Sequence, residues 1–262
     1  MFGLFIIVGV VLMAIAGPYM VKYNYHAQDL YHTNLWPNAQ HWFGTDALGR
    51  DLWVRVWDGA RVSLFIGISA ALLDLLVGVL YGGIAAFFGG KVDDVMMRII
   101  EIMVGIPSLI LNVLMIVYMG AGVGSIVIAL VITGWVNMAR LVRGQILQLR
   151  DQEFVLAART LGAGNWRLIL RHLIPNVFGI IIVQITFTIP SAVFSEAVLS
   201  FLGLGIKVPQ ASLGSLTFEA LDGLRYNFYQ LAFPAVVISL IMFAFNIFGD
   251  GLRDALDPKL RK

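Results

Sequence analysis

The 262-residue chain contains no cysteine, which excludes disulfides, thiolate metal sites and cysteine nucleophiles. Charge is scarce, because Asp, Glu, Lys and Arg make up 13% of the residues, where a soluble domain carries about 25%. The four histidines show no H-E-x-x-H or comparable spacing, so no metal site is expected. No G-x-x-x-x-G-K-S/T run is present, and the chain cannot hold a nucleotide by that loop. Ser63 and Ser108 have no evident base nearby in sequence, and the chain reads as a non-enzyme. A formal charge of only +2 leaves no footing for nucleic acid.

Apolar residues fill the gap at 59% of the chain, with a mean hydropathy of +0.85. So much apolar surface cannot be hidden in one soluble core, and it recurs to both ends without a separate soluble module. The reading is one all-α polytopic membrane helical bundle, with the bilayer as solvent. About 20 residues at roughly 1.5 Å each cross the hydrocarbon core. By that measure about six spans are expected, over 2–20, 62–88, 101–119, 124–140, 173–201 and 231–248. Pro107 and Gly134 interrupt the third and fourth, and Pro190 lies within the fifth. A membrane helix starting at Met1 would lack a basic anchor, which predicts a short basic tail ahead of it.

The polar stretches set the orientation. Residues 22–61 are rich in tryptophan and balanced in charge, as an aqueous flank with interfacial pieces would be. With six spans both ends lie on one side. That side collects twelve Lys and Arg, against six on the other. Basic excess in short loops marks the cytoplasm, so both termini and the 143–173 loop are expected there. Segment 22–61 and the loop 202–230 then face outward.

Within 143–173, Glu153 to Leu161 is composed of good helix formers, and Gly162 to Gly164 interrupts it. Trp166 to Leu173 forms a second helical piece before Pro175. Phe154, Ala157, Ala158 and Leu161 share a side of the first piece, small alanines permit close approach, and Gly162 permits a sharp turn. The residues fit a docking element for a partner and equally an interfacial helix packed on its own chain. Asp74, Asn112 and Glu196 fall inside spans, where polar groups are costly. They either line a translocation path or brace helices.

Ala157-Ala158, three residues, Gly162 and then Ile174-Pro175 resemble the cytoplasmic signature loop of permease subunits of bacterial ABC importers. Phe43-Gly44-Thr45-Asp46-Ala47-Leu48-Gly49-Arg50-Asp51, Phe87-Phe88-Gly89-Gly90-Lys91, Phe201-Leu202-Gly203-Leu204-Gly205 and Phe245 through Lys259 narrow the likeness. Together they resemble the C-type permease of dipeptide and oligopeptide importers. One departure is Leu156, where the wider signature begins with Glu; the nearest acid, Glu153, sits one turn earlier.

The resemblance implies a type I ABC importer permease fold in a bacterial cytoplasmic membrane. It implies a homologous second permease, two ABC ATPase subunits that hold ATP and Mg, and an extracytoplasmic peptide-binding protein. Glu153, Phe154, Ala157, Ala158, Arg159, Leu161, Gly162 and Arg167 would then couple to an ATPase. Trp42, Asp46, Arg50 and Asp51 would lie toward the binding protein. The same architecture also serves nickel and other small solutes. An ion-coupled transporter or a membrane scaffold are rivals, and neither requires the 143–173 loop.

Overall fold

The computed structural model describes residues 1–207 and 210–256. Pro209 and the tail cations Lys259, Arg261 and Lys262 lie outside them. Helices carry the fold: α1 (Phe2–Ala16), α2 (Leu52–Phe88), α3 (Gly90–Gly105), α4 (Ser108–Met119), α5 (Val123–Leu149), α6 (Glu153–Thr160), α7 (Asn165–Arg167), α8 (Ile174–Leu199), α9 (Leu213–Glu219) and α10 (Tyr229–Leu256). Wider π turns, Leu168–Leu173 and Ser200–Leu204, flank α8, so that the helical run begins at Asn165 and continues to the kink at Gly203, whose φ is +79°.

Among the described residues, five helical runs are long and apolar enough to cross a membrane, and a sixth arises if α3 and α4 count as one broken span. That pair bends by 84°, because Pro107 lacks a donor and forces Ile106 into an extended conformation. Gly134, by contrast, does not interrupt α5. Several spans outrun their apolar stretch. The second begins at Leu52 rather than Val62, the fourth continues to Leu149 rather than Arg140, and the sixth runs from Tyr229 to Leu256. Apolar runs report only the part in hydrocarbon, whereas backbone hydrogen bonding continues as long as capping and propensity allow. Asp51 supplies such a cap, its carboxylate accepting from the Val54 amide at 3.0 Å.

Helix α2 is the hub. At 37 residues it is about 55 Å long, and it packs against α1, α5, α8 and α9. Lipid offers no hydrophobic drive to press helices together, so close approach of small residues does that work. A side chain at Gly78 would meet the Trp135 carbonyl at 2.7 Å, and one at Gly82 would strike the Ala139 carbonyl of α5. Gly82→Leu should therefore push α5 off α2. The expected outcome is a loss of about 1–3 kcal/mol or more of folding stability, read as a lower thermal midpoint in detergent.

The contacts give the bundle two ends. Gly3 faces Phe248, Gly179 faces Leu256, and Arg150 reaches Ala86, which gathers the start of α1, the end of α2, α6 and the end of α10 at one end. Gly17 against Trp57, Ser63 bonded by the Leu213 amide, and Thr45 beside Tyr229 mark the opposite end.

Candidate functional site

Helix α6 projects at one end of the bundle. Gln152 leads in with an extended backbone, and Glu153 places an acid in the first turn, where the helix dipole favours it. Val155 is fully buried and Ala158 partly so, both against the cluster that includes Phe87, Ile146 and Leu168. These two, three residues apart, fasten the inner face.

The far end of α6 is closed by paired backbone bonds. Gly162 N–H donates to the Arg159 carbonyl and Ala163 N–H to the Ala158 carbonyl, each at 3.0 Å, a Schellman closure. The closure needs a left-handed residue, and Gly162 has φ +83°. Ala163 also packs against the cluster that receives Ala158. The spacing Ala157-Ala158-x-x-x-Gly162 is thus the spacing of a helix end.

Phe154, Leu156, Ala157 and Leu161 remain exposed, with Leu161 at 87%. Trp166 and Leu170 extend the apolar surface, and Arg167 and Arg171 stand exposed beside it. Ala158 differs from the sequence expectation because it turns inward rather than joining Phe154 on the outer face. Arg159 leans back, its guanidinium carbon 5.8 Å from the centre of the Phe87 ring. An exposed apolar face rimmed by cations, on a helix pinned from behind, is a protein-docking surface in form. The 143–173 loop is shorter than its polarity suggests, since 143–149 belong to α5. Arg143 is spent there on a forked pair with Asp93 of α3, both contacts at 2.5 Å.

The opposite end differs more sharply from expectation. Asp46, Arg50 and Asp51 are buried and bonded within the chain, so they are corrected from docking residues to internal braces. Arg50 Nε donates to Asp46 at 2.6 Å and its Nη2 to Glu219 at 2.8 Å. Arg55 donates to Asp46 and, through both terminal nitrogens, to Glu219 at 2.8 and 3.1 Å. Two cations and two acids therefore bind the 46–50 turn, the start of α2 and the end of α9. The Asp51 carboxylate also accepts from His41 Nδ1, 2.8 Å away, in the tautomer that carries its proton on that nitrogen. Trp42 stays exposed at 41%, stacked edge-on against Trp53, 4.7 Å between centres. Trp53 donates to the Gly17 carbonyl and Trp57 is buried, so neither is a free interfacial anchor.

The three polar residues within spans are buried in this chain, each at most 5% exposed; Glu196 and Asn112 bond across helices, whereas the Asp74 Oδ1 has no hydrogen-bond partner among the described residues. Glu196 accepts from Ser63 at 3.0 Å, Ser200 at 2.7 Å and Ser212 at 2.6 Å, which joins α2, α8 and the N-terminus of α9. Ser212 in turn caps α9 in a reciprocal pairing with Ser215. With its amide turned so that the nitrogen faces the carbonyls of Ser108 and Ala129, Asn112 donates to them at 3.2 and 2.8 Å, the orientation that satisfies both ends of the group. Asp74 is wedged against Gly134 of α5, where any side chain would strike its carboxylate. Arg55, Glu219 and Val155 were invisible as site residues: nothing local marks a pairing across 164 positions.

Comparison with known proteins then decides the family. Residues 78–262 match the family described as binding-protein-dependent transport system inner membrane component. The chain belongs to that family. Residues 1–37 match the N-terminal transmembrane domain of oligopeptide transport permease C. The chain is 53% identical to the dipeptide transport system permease protein DppC of Bacillus subtilis, over all of this chain and 82% of that one. It is 53% identical to that organism's oligopeptide permease OppC, over 100% and 86%, and 40% identical to OppC of Escherichia coli, over 99% and 86%. Among solved structures, the inward-facing MetNI methionine ABC transporter aligns with a TM-score of 0.65 at 19% identity. That alignment covers 78% of this chain and 96% of the other. It shows the fold, a type I importer permease. The chain is a multi-pass membrane protein, and α6 presents an exposed apolar face outside the long spans.

Proposed function

We propose that this permease is the pore-forming subunit of an ATP-driven importer that moves di- or oligopeptides across the bacterial cytoplasmic membrane by alternating access. The substrate class rests on the relatives, which are dipeptide and oligopeptide permeases at up to 53% identity. The observation that carries the coupling role is α6: Phe154, Ala157 and Leu161 exposed on a helix whose other face is locked by Val155 and Ala158. Partners are a homologous second permease, two ABC ATPase subunits holding ATP and Mg, and an extracytoplasmic peptide-binding protein. Both termini and α6 lie in the cytoplasm, supported by the basic excess on that side and by the exposure of Arg167 and Arg171.

In the proposed cycle the ATPase subunits close on ATP and carry α6 with them. Because α6 is anchored on the cytoplasmic ends of α2, α5 and α8 through its cluster, its displacement tilts those spans and changes which side the pore faces. The outward surface for the binding protein is the exposed remainder of segments 22–51 and 210–228, Trp42 among them. The double substitution Phe154→Asp, Leu161→Asp tests this reading. Both positions are exposed, so folding should survive, while copurification of the ATPase subunits should fall about tenfold or more. Undiminished copurification and uptake would assign α6 to packing on its own chain.

A further inference from the structure

The last turn of α2 receives three side chains from the loop that holds α6. The Ala86 carbonyl, one of the terminal acceptors a helix leaves unsatisfied, accepts from Arg150 Nη1 at 2.8 Å. Arg150 is the residue that closes α5, three positions ahead of α6. Val155 packs in one cluster with Ala86 and Phe87, and Arg159 stands over the Phe87 ring. The approach of Arg150 depends on Gly89, which caps α2 at φ +63°. A side chain there would come within 2.8 Å of the same guanidinium nitrogen. The Arg150 Nε faces Asp151 at 3.5 Å and has no hydrogen-bond partner within reach. The guanidinium is therefore held chiefly by α2.

From Ala86 the helix runs to Leu52 without a proline or a break. At its other end it carries α9 by two attachments. The Leu213 amide donates to Ser63 at 3.1 Å, beside the Glu196 cluster, and Glu219 is gripped by Arg55. Helix α9 is seven residues long, so both of its ends are tied to the same rod. A helix with an unbroken hydrogen-bond ladder resists shortening, so displacement of its last turn is carried toward its first.

We propose that Arg150 is the positioning residue through which the loop of α6 grips α2, and that α2 carries the displacement to α9 at the outer end. The proposal rests on the coupling role of α6 and adds the route by which its motion leaves the cytoplasmic side. Arg150 touches neither ATP nor peptide. Its role is to keep α2 moving with α6, so its loss shows in the yield of transport per ATP.

The test uses the whole complex in vesicles, with its binding protein, and measures peptide taken up and ATP hydrolysed in the same sample. Arg150→Ala should leave assembly and basal hydrolysis intact and lower uptake per ATP about tenfold. Arg150→Lys, which can still donate to the Ala86 carbonyl, should restore the yield to within about twofold. Gly89→Ala keeps the arginine and displaces it, and should reproduce the defect in part. An unchanged yield in Arg150→Ala overturns the proposal. So does a parallel fall in assembly, hydrolysis and uptake, which would mark a purely structural contact. If Phe154→Asp, Leu161→Asp abolishes coupling while Arg150→Ala does not, only this route fails; if the double variant is silent, the coupling role of α6 fails first.

Discussion

Gly162→Pro should abolish binding-protein-stimulated ATP hydrolysis and peptide uptake, by about a hundredfold or more, in a complex that still assembles. Proline fixes φ near −65° and has no N–H. At this position the backbone needs φ +83° and the amide donates to the Arg159 carbonyl. Both halves of the closure fail together, so the chain must leave α6 in another direction, and the exposed face carrying Leu161 rotates. Mispositioning of a working surface by an ångström is enough to cost about two orders of magnitude. Gly162→Ala keeps the amide and asks only for a left-handed alanine, at about 1–2 kcal/mol, and should retain measurable transport. Parallel assays of hydrolysis, uptake and copurified subunits separate the outcomes. Normal uptake by the proline variant would remove α6 from the coupling role.

The second large effect is expected far from α6. Arg55→Ala should cost about 3–5 kcal/mol, the penalty for leaving Asp46 and Glu219 with one cation between them where two now balance their charge. The Arg55 side chain is 1% exposed and bridges Asp46, itself 10% exposed, to the half-exposed Glu219. Arg50 bridges the same two acids through Nε and Nη2, so the alanine variant keeps one cation there and loses the forked contact of Arg55 to Glu219. The expected signs are a lower thermal midpoint and faster proteolysis within 213–228, since Glu219 anchors the end of α9. Arg55→Lys retains the charge but not the fork, and should fall between wild type and alanine. Equal stability of the alanine variant would show that Asp46 and Glu219 find other partners.

These two sites differ in how far they could be read in advance. Helix α6 is a local object. Its formers, its alanines and its glycine stop lie within ten residues, and short-range rules place it. The direction its alanines face is not local, because Ala157 and Ala158 are neighbours and only Val155 and the cluster behind it decide which of them turns inward. The charge clamp is non-local throughout. Asp46 and Arg50 are four apart in a turn, but Glu219 reaches them from the far side of the chain. A charged residue in a stretch that reads as an aqueous flank looks exposed, so Asp46, Arg50 and Asp51 looked like surface. They are interior because the long N-terminal part of α2 extends the packed bundle beyond the apolar span.

The sequence by itself determined the solvent, the all-helical class, the approximate number of spans and the place of α6. Those follow from apolar length, from backbone groups that must be satisfied in hydrocarbon, and from the compatibility of each residue with its own turn. Only the tertiary structure decided that Glu196 is held by three serines, that α9 is tied at both ends to α2, and that Arg150 closes on Ala86 through the gap left by Gly89. Each of these is a meeting of donors and acceptors on different helices. Helical periodicity states which face a residue shares with its near neighbours, while the identity of the residue opposite depends on how whole helices cross.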